Sequence, residues 1–247
     1  MNRQAQAAVL FLLGAALLHA GVTDLSLRYV KSGLRPLVVA AGAVLIATAL
    51  ATGWYEWYER RRTRAAGTTR RPSPAAHHEP RVCWLLLLPI LALILVAPPA
   101  LGSYSAMHAG TALQRPLGYP PLPEDGRGPL RLALADYAER AAYGDGRTLD
   151  GRRVTLTGFL AVDRAGTPYL VRMTLNCCAA DAQPVKVGLT GRVPPVLRPD
   201  TWLAVTGTYT PRRTRDPVND GPIPFLDVTG ARPVPAPRDP YDEGGSG

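Results

Sequence analysis

Three uncharged, strongly apolar segments within the first 101 residues constrain this chain more than anything else in it. They run from about Ala5 to Val22, Leu37 to Gly53 and Val82 to Leu101. A helix rises about 1.5 Å per residue, so roughly 20 residues cross a bilayer core about 30 Å thick. Inside hydrocarbon the backbone must satisfy its own polar groups, which leaves helix as the form such segments take. The sequence therefore predicts an α-helical transmembrane region of about three spans within residues 1–101. Pro89 should kink the third span, and Pro98-Pro99 should end it. A cleaved signal peptide is the competing reading of the first segment. Its positive n-region is Arg3 alone and Leu18-His19-Ala20 is a poor cleavage site, so an uncleaved span is favoured.

Charge placement supplies orientation. The chain has 247 residues and a formal net charge of +9, a balance that often marks a nucleic-acid partner. Here residues 1–101 carry 11 Lys+Arg against 4 Asp+Glu, and residues 102–247 carry 17 against 15. The excess sits among the apolar segments, so it reads as membrane topology and argues against a basic nucleic-acid-binding domain. The loop expected over 58–81 holds Arg60, Arg61, Arg62, Arg64, Arg70, Arg71 and Arg81; the connector after the first span holds Arg28, Lys31 and Arg35. The richer loop should be cytoplasmic. The N-terminus is then inside, while the first connector and everything after Leu101 are outside. Trp54, Tyr55, Trp57 and Tyr58 fit an interfacial aromatic belt. The Arg60–Pro80 stretch reads as disordered, and its His77-His78 pair is either a weak metal-ligand candidate or a solvated loop feature.

Residues 102–128 are rich in Pro and Gly and read as a linker. LRLALADYAERAAYGDG then carries Leu130, Leu134, Tyr137, Ala138 and Ala141 at helical spacing, with Gly144 as a stop. Strand signals follow at Arg153–Val162, Pro168–Leu175, Val185–Leu189, Trp202–Thr210 and Phe225–Thr229. Five short strands after one helix predict a mainly-β, OB-like barrel over 129–235. Gly158 and Gly207 mark bulges or tight bends within it. The tail 236–247 reads as disordered.

One segment carries unusual chemistry. Asn176-Cys177-Cys178-Ala179-Ala180-Asp181-Ala182 closes the second strand and holds two of the chain's three cysteines. In an extended strand neighbouring side chains point to opposite faces, so the two sulfurs would diverge. In a turn, both sulfurs and the Asp181 carboxylate could converge on a soft or borderline metal such as zinc or copper(I). A redox thiol pair and a purely structural role, with one Cys in the core and the other at a turn, remain open on the sequence. Arg172 is a weaker candidate near the pair. Cys83 falls at the cytoplasmic end of the third span and reads as a small membrane-helix residue. No P-loop, GxGxxG, HExxH or GxSxG motif is present.

The N-terminal spans, the His-containing loop, the Pro98-Pro99 span end, Gly158-Phe159 and the run from Arg172 to Ala182 together resemble the YcgQ-like family of permease subunits. Cys177-Cys178-Ala179-Ala180-Asp181-Ala182 is the most specific part of the likeness. Relatives carry a longer His-rich stretch where this chain has only His77-His78-Glu79. The resemblance implies a membrane protein acting beside a larger polytopic permease subunit. The expected function is a non-enzymatic accessory subunit whose outer domain binds a metal ion or a thiol-reactive solute. The alternatives are an envelope thiol oxidoreductase using Cys177 and Cys178, and a membrane-anchored protein-interaction module.

Overall fold

The computed structural model describes residues 3–65, 99–122, 128–149, 151–193 and 198–242. The chain divides into two compact units. One comprises Met1–Ser26 and Ser32–Pro99, the other Leu27–Lys31 and Ala100–Gly247.

The first unit contains helices α1 (Arg3–Val22) and α2 (Arg35–Ala65), which pack against each other. Small residues set how close they come. A Cβ on Gly14 would stand 2.9 Å from the Gly42 carbonyl oxygen, and one on Gly42 would stand 3.0 Å from the Gly14 oxygen. Close backbone approach at paired glycines is a packing device of membrane helices, where dispersion replaces the hydrophobic effect. Arg35 closes the C-terminus of α1: its Nε donates to the Gly21 carbonyl at 2.6 Å and its Nη2 to the Val22 carbonyl at 3.1 Å.

Among the described residues, one helical stretch, Ser32–Arg62, is long and apolar enough to cross a membrane. Only 11% of its apolar window is buried inside the molecule, unlike the core helix of a soluble domain. It contains the second expected span. The first expected span is the shorter apolar helix Gln6–Val22, and the third lies outside the described residues except for 99–101. Among the described residues, the expectation of about three spans is therefore met by one helix of sufficient length. The loop expected from residue 58 also starts later, because α2 continues to Ala65. Glu56 and Arg60 pair at i,i+4, and the guanidinium groups of Arg61 and Arg62 lie over the rings of Trp57 and Tyr58, one turn earlier. Such pairs sustain a helix beyond its apolar stretch.

The second unit is a closed five-stranded barrel of OB-like topology, preceded by a helix. Its strands are β2 (Arg153–Val162), β3 (Pro168–Thr174), β4 (Gln183–Gly191), β5 (Trp202–Arg215) and β6 (Pro222–Pro233); β1 (Leu130–Arg131) flanks β2. The ring runs β2-β5-β6-β4-β3 and closes where β3 returns to β2, with Phe159 opposite Val171. β4 and β6 run parallel and the other ring pairs antiparallel. Closure leaves no free edge in the ring. It depends on close approach at Gly158 and Gly207; the bulge expected of them is present at Gly207, where the register shifts, while the pairing of Gly158 shows no shift. A Cβ on Gly158 would meet the Val171 carbonyl oxygen at 2.6 Å, and one on Gly207 would collide with the Asp227 carbonyl oxygen, where β5 and β6 shift register.

Between Leu134 and Tyr143 the apolar periodicity produces a helix whose inner face, Leu134, Tyr137, Ala138 and Ala141, packs into the barrel interior with Leu156, Leu170, Val187 and Leu226. The Tyr137 hydroxyl would be an orphan there; it donates to the Phe225 carbonyl at 2.7 Å.

Two further readings change. The linker over 102–128 is not a bare tether. It forms helix α3 (Ser103–His108), whose Ala106 is buried with Phe159, Ala161, Tyr169 and Val171 on the outside of β2 and β3. That cover explains why β2 is apolar on both faces from Phe159 onward. After α3, the Thr111 N–H reaches the Asp216 carboxylate and the Ala112 N–H the Pro184 carbonyl. Nor does the domain end at Pro235. Tyr241 and Asp242 form a short strand, β7, parallel to β3, and Tyr241 is buried in the outer cluster.

Candidate metal centre

β3 ends at Thr174, and Leu175 tucks into the outer cluster. The chain then turns. Cys178 is extended (φ −153°, ψ 171°) and leads into a single 3-10 turn, Ala179–Asp181. The Asp181 side chain folds back over it, with one oxygen accepting the Asn176 N–H at 3.1 Å and the other the Cys177 N–H at 2.9 Å. The Asp181 N–H in turn reaches the Cys178 carbonyl at 3.0 Å.

The turn brings together the three residues singled out by their chemistry. One ligand atom each from Cys177, Cys178 and Asp181 lies within 4.8 Å of the others. Bonds of about 2.3 Å to sulfur and 2.1 Å to oxygen would set the donors about 3.6–3.8 Å apart around a tetrahedral ion. Side-chain rotation would have to draw the donors about 1 Å closer to hold a tetrahedral ion. Cys177 is exposed and Cys178 half-buried, so the side facing solvent is open for a further ligand. Two thiolates and a carboxylate suit a soft or borderline cation and do not suit magnesium or calcium, which take oxygen ligands.

Without an ion, the cluster holds a proton on sulfur. The Cys177 thiol donates to Asp181 and is also engaged with Cys178, which pushes its pKa up to about 11. The same hydrogen bond, followed by the Cys177 N–H, holds the Asp181 carboxyl below the usual carboxylate range. Any cation held by both Cys177 and Asp181 would have to displace that proton.

The site has a neighbour that no local pattern signals. Segment Leu27–Lys31, the connector after α1, lies antiparallel to the cysteine turn, with Val30 bridged to Cys178. The Lys31 N–H donates to the Cys177 carbonyl at 3.1 Å, and the Ala179 N–H to the Tyr29 carbonyl at 2.7 Å. The connector is fixed from the other side by the Tyr241 hydroxyl, which donates to the Arg28 carbonyl at 2.7 Å. Arg172, a weaker candidate, contributes to this support: its guanidinium donates to the Tyr241 carbonyl at 2.6 Å and lies 5.2 Å from the centre of the Trp202 ring. His77, His78 and Cys83 lie outside the described residues.

Residues 135–242 match the family model of the DUF1980 C-terminal domain. The match covers the helix Leu134–Tyr143 from its second residue and the barrel, continues through β7, and includes Cys177, Cys178 and Asp181. No curated protein and no solved structure matches the chain.

Proposed function

We propose that this chain is a non-enzymatic accessory subunit of a two-component membrane permease, and that its OB-like domain receives a soft or borderline metal ion on Cys177, Cys178 and Asp181. The observation that carries the reading is the convergence of two sulfurs and a carboxylate within 4.8 Å on an accessible turn. Three ligands with an open side favour exchange over storage, because an incoming or departing partner ligand can reach the ion without the site unfolding.

The accompanying topology has an N-terminus in the cytoplasm and a barrel outside it. The Arg-rich segment after Gly53 supports this orientation, and so does membership of Leu27–Lys31 in the barrel's unit, which fits a first connector and a barrel on one side of the membrane. The exposed apolar side chains of α2, including Leu37, Val44 and Leu50, are compatible with lipid or with a polytopic partner. A thiol oxidoreductase is less well supported. An attacking cysteine needs a depressed pKa, and the Asp181 hydrogen bond moves Cys177 the other way.

The test is a cadmium or zinc titration of the purified full-length chain in detergent against a chromophoric competitor. One ion per chain, lost in Cys177→Ser/Cys178→Ser, is expected. No binding, or binding unchanged in the double variant, overturns the metal reading. A reporter fused after Gly247 should be active outside the cytoplasm, and a polytopic membrane protein should co-purify.

A further inference from the structure

We infer that the connector Leu27–Lys31 is the positioning element of the thiol site, holding the Cys177–Ala179 backbone in the conformation that turns both sulfurs toward Asp181. The inference rests on the metal reading above and adds a requirement for a segment far away in sequence.

Adjacent residues in an extended chain diverge, and Cys178 is itself extended, so the convergence depends on how the surrounding backbone is fixed. Within the turn, both Asp181 oxygens are committed to backbone N–H groups of Asn176 and Cys177. A cation drawing on either oxygen competes with those bonds and loosens the turn as it binds. The two bonds from the connector involve no ligand atom. Lys31 N–H to the Cys177 carbonyl and Ala179 N–H to the Tyr29 carbonyl grip the turn on both sides of Cys178. They persist whether Asp181 faces its own backbone or an ion. The connector is held in place by Tyr241, and Tyr241 by Arg172, giving a chain of support from β3 to the site. Groups that orient a metal ligand without touching the metal are worth about 10–100-fold in affinity.

The experiment uses the full-length chain in detergent, titrated with cobalt(II) and followed by thiolate-to-metal charge-transfer absorption. Lys31→Pro removes the N–H that reaches Cys177. Lys31→Ala keeps that N–H and loses only the side chain. Tyr241→Phe keeps the ring and removes the bond to Arg28. Lys31→Pro and Tyr241→Phe should each weaken cobalt binding by about tenfold or more and alter the charge-transfer band. Lys31→Ala should match the wild type, which separates backbone positioning from the lysine charge. Should Lys31→Pro fail to fold, as judged by near-ultraviolet circular dichroism, Tyr241→Phe alone decides. Wild-type affinity and spectrum in Tyr241→Phe and in folded Lys31→Pro would overturn the inference while leaving the metal site intact. A wild-type chain that binds no cobalt, cadmium or zinc would overturn the metal reading, and the inference with it.

Discussion

Replacing Asp216 by alanine strips a counter-ion from the buried ammonium group of Lys186. The two side chains are 0% and 1% exposed, with Lys186 Nζ 2.7 Å from Asp216 Oδ2. Lys186 also donates to the Ala109 carbonyl at 2.8 Å, and the carboxylate accepts the Thr111 N–H at 3.0 Å and the Val218 N–H at 2.9 Å. One pair thus ties β4, the segment following α3 and the β5–β6 turn together. Breaking a buried pair from one side costs about 3–5 kcal/mol, because the remaining charge loses its counter-ion. The stranded, buried Thr111 N–H adds about 1–3 kcal/mol. The two together approach the whole stability of a typical domain, about 5–15 kcal/mol. Asp216→Ala should therefore leave the barrel close to unfolding in a urea titration of the full chain followed by near-ultraviolet circular dichroism. Lys186→Met combined with Asp216→Leu removes both charges and should recover most of the loss, since apolar replacement of a buried pair is often neutral. A single variant within about 1 kcal/mol of wild type would refute this reasoning, as would a double variant as unstable as the single one.

Other outcomes follow from the site and the helix pair. Cys177 should alkylate slowly at neutral pH, with a rate that keeps rising toward pH 11, because the reactive thiolate forms only above the raised pKa. A plateau near pH 8.5, the ordinary thiol value, would show that the Asp181 bond does not hold. Asp181→Asn removes the anionic acceptor, so Cys177 should then alkylate faster at pH 8 than in the wild type. Gly207→Val forces a side chain into the Asp227 carbonyl at the β5–β6 register shift; a loss of about 2 kcal/mol or more is expected by urea titration. Gly42→Leu should pry α1 from α2, and protease accessibility of the connector in detergent will report it.

The parts legible in the sequence were those encoded locally. Alternation and β-branching placed the strand from Arg153 to Val162 to the residue, because both its neighbours are pairing strands and turn residues bound it. The face of Leu134, Tyr137, Ala138 and Ala141 was plain because a 3.6-residue period needs only one element to express it. Features that depend on distant partners were not legible. Lys186 reads as the polar residue of an alternating strand, and it is buried because Ala109 and Asp216 come from elsewhere to meet it. β7 has two residues, too few for any pattern, and is held by Arg172 and β3. At the thiol site, residue types alone named Cys177, Cys178 and Asp181. Whether the sulfurs converge is decided by the turn after Thr174, and the sequence left that open.

The bond from Tyr241 to Arg28 joins residues 213 positions apart. A contact so distant cannot form until Tyr241 has left the ribosome, and closing so large a loop carries an entropic cost that local contacts do not. The two cysteines are therefore made before Tyr241, while the connector beside them has no anchor on that side. Only when Tyr241 docks beside β3 is the connector locked against the cysteine turn. If the proposed metal reading holds, a half-built chain would carry the cysteine turn before its connector is anchored, and so would not yet present the finished site.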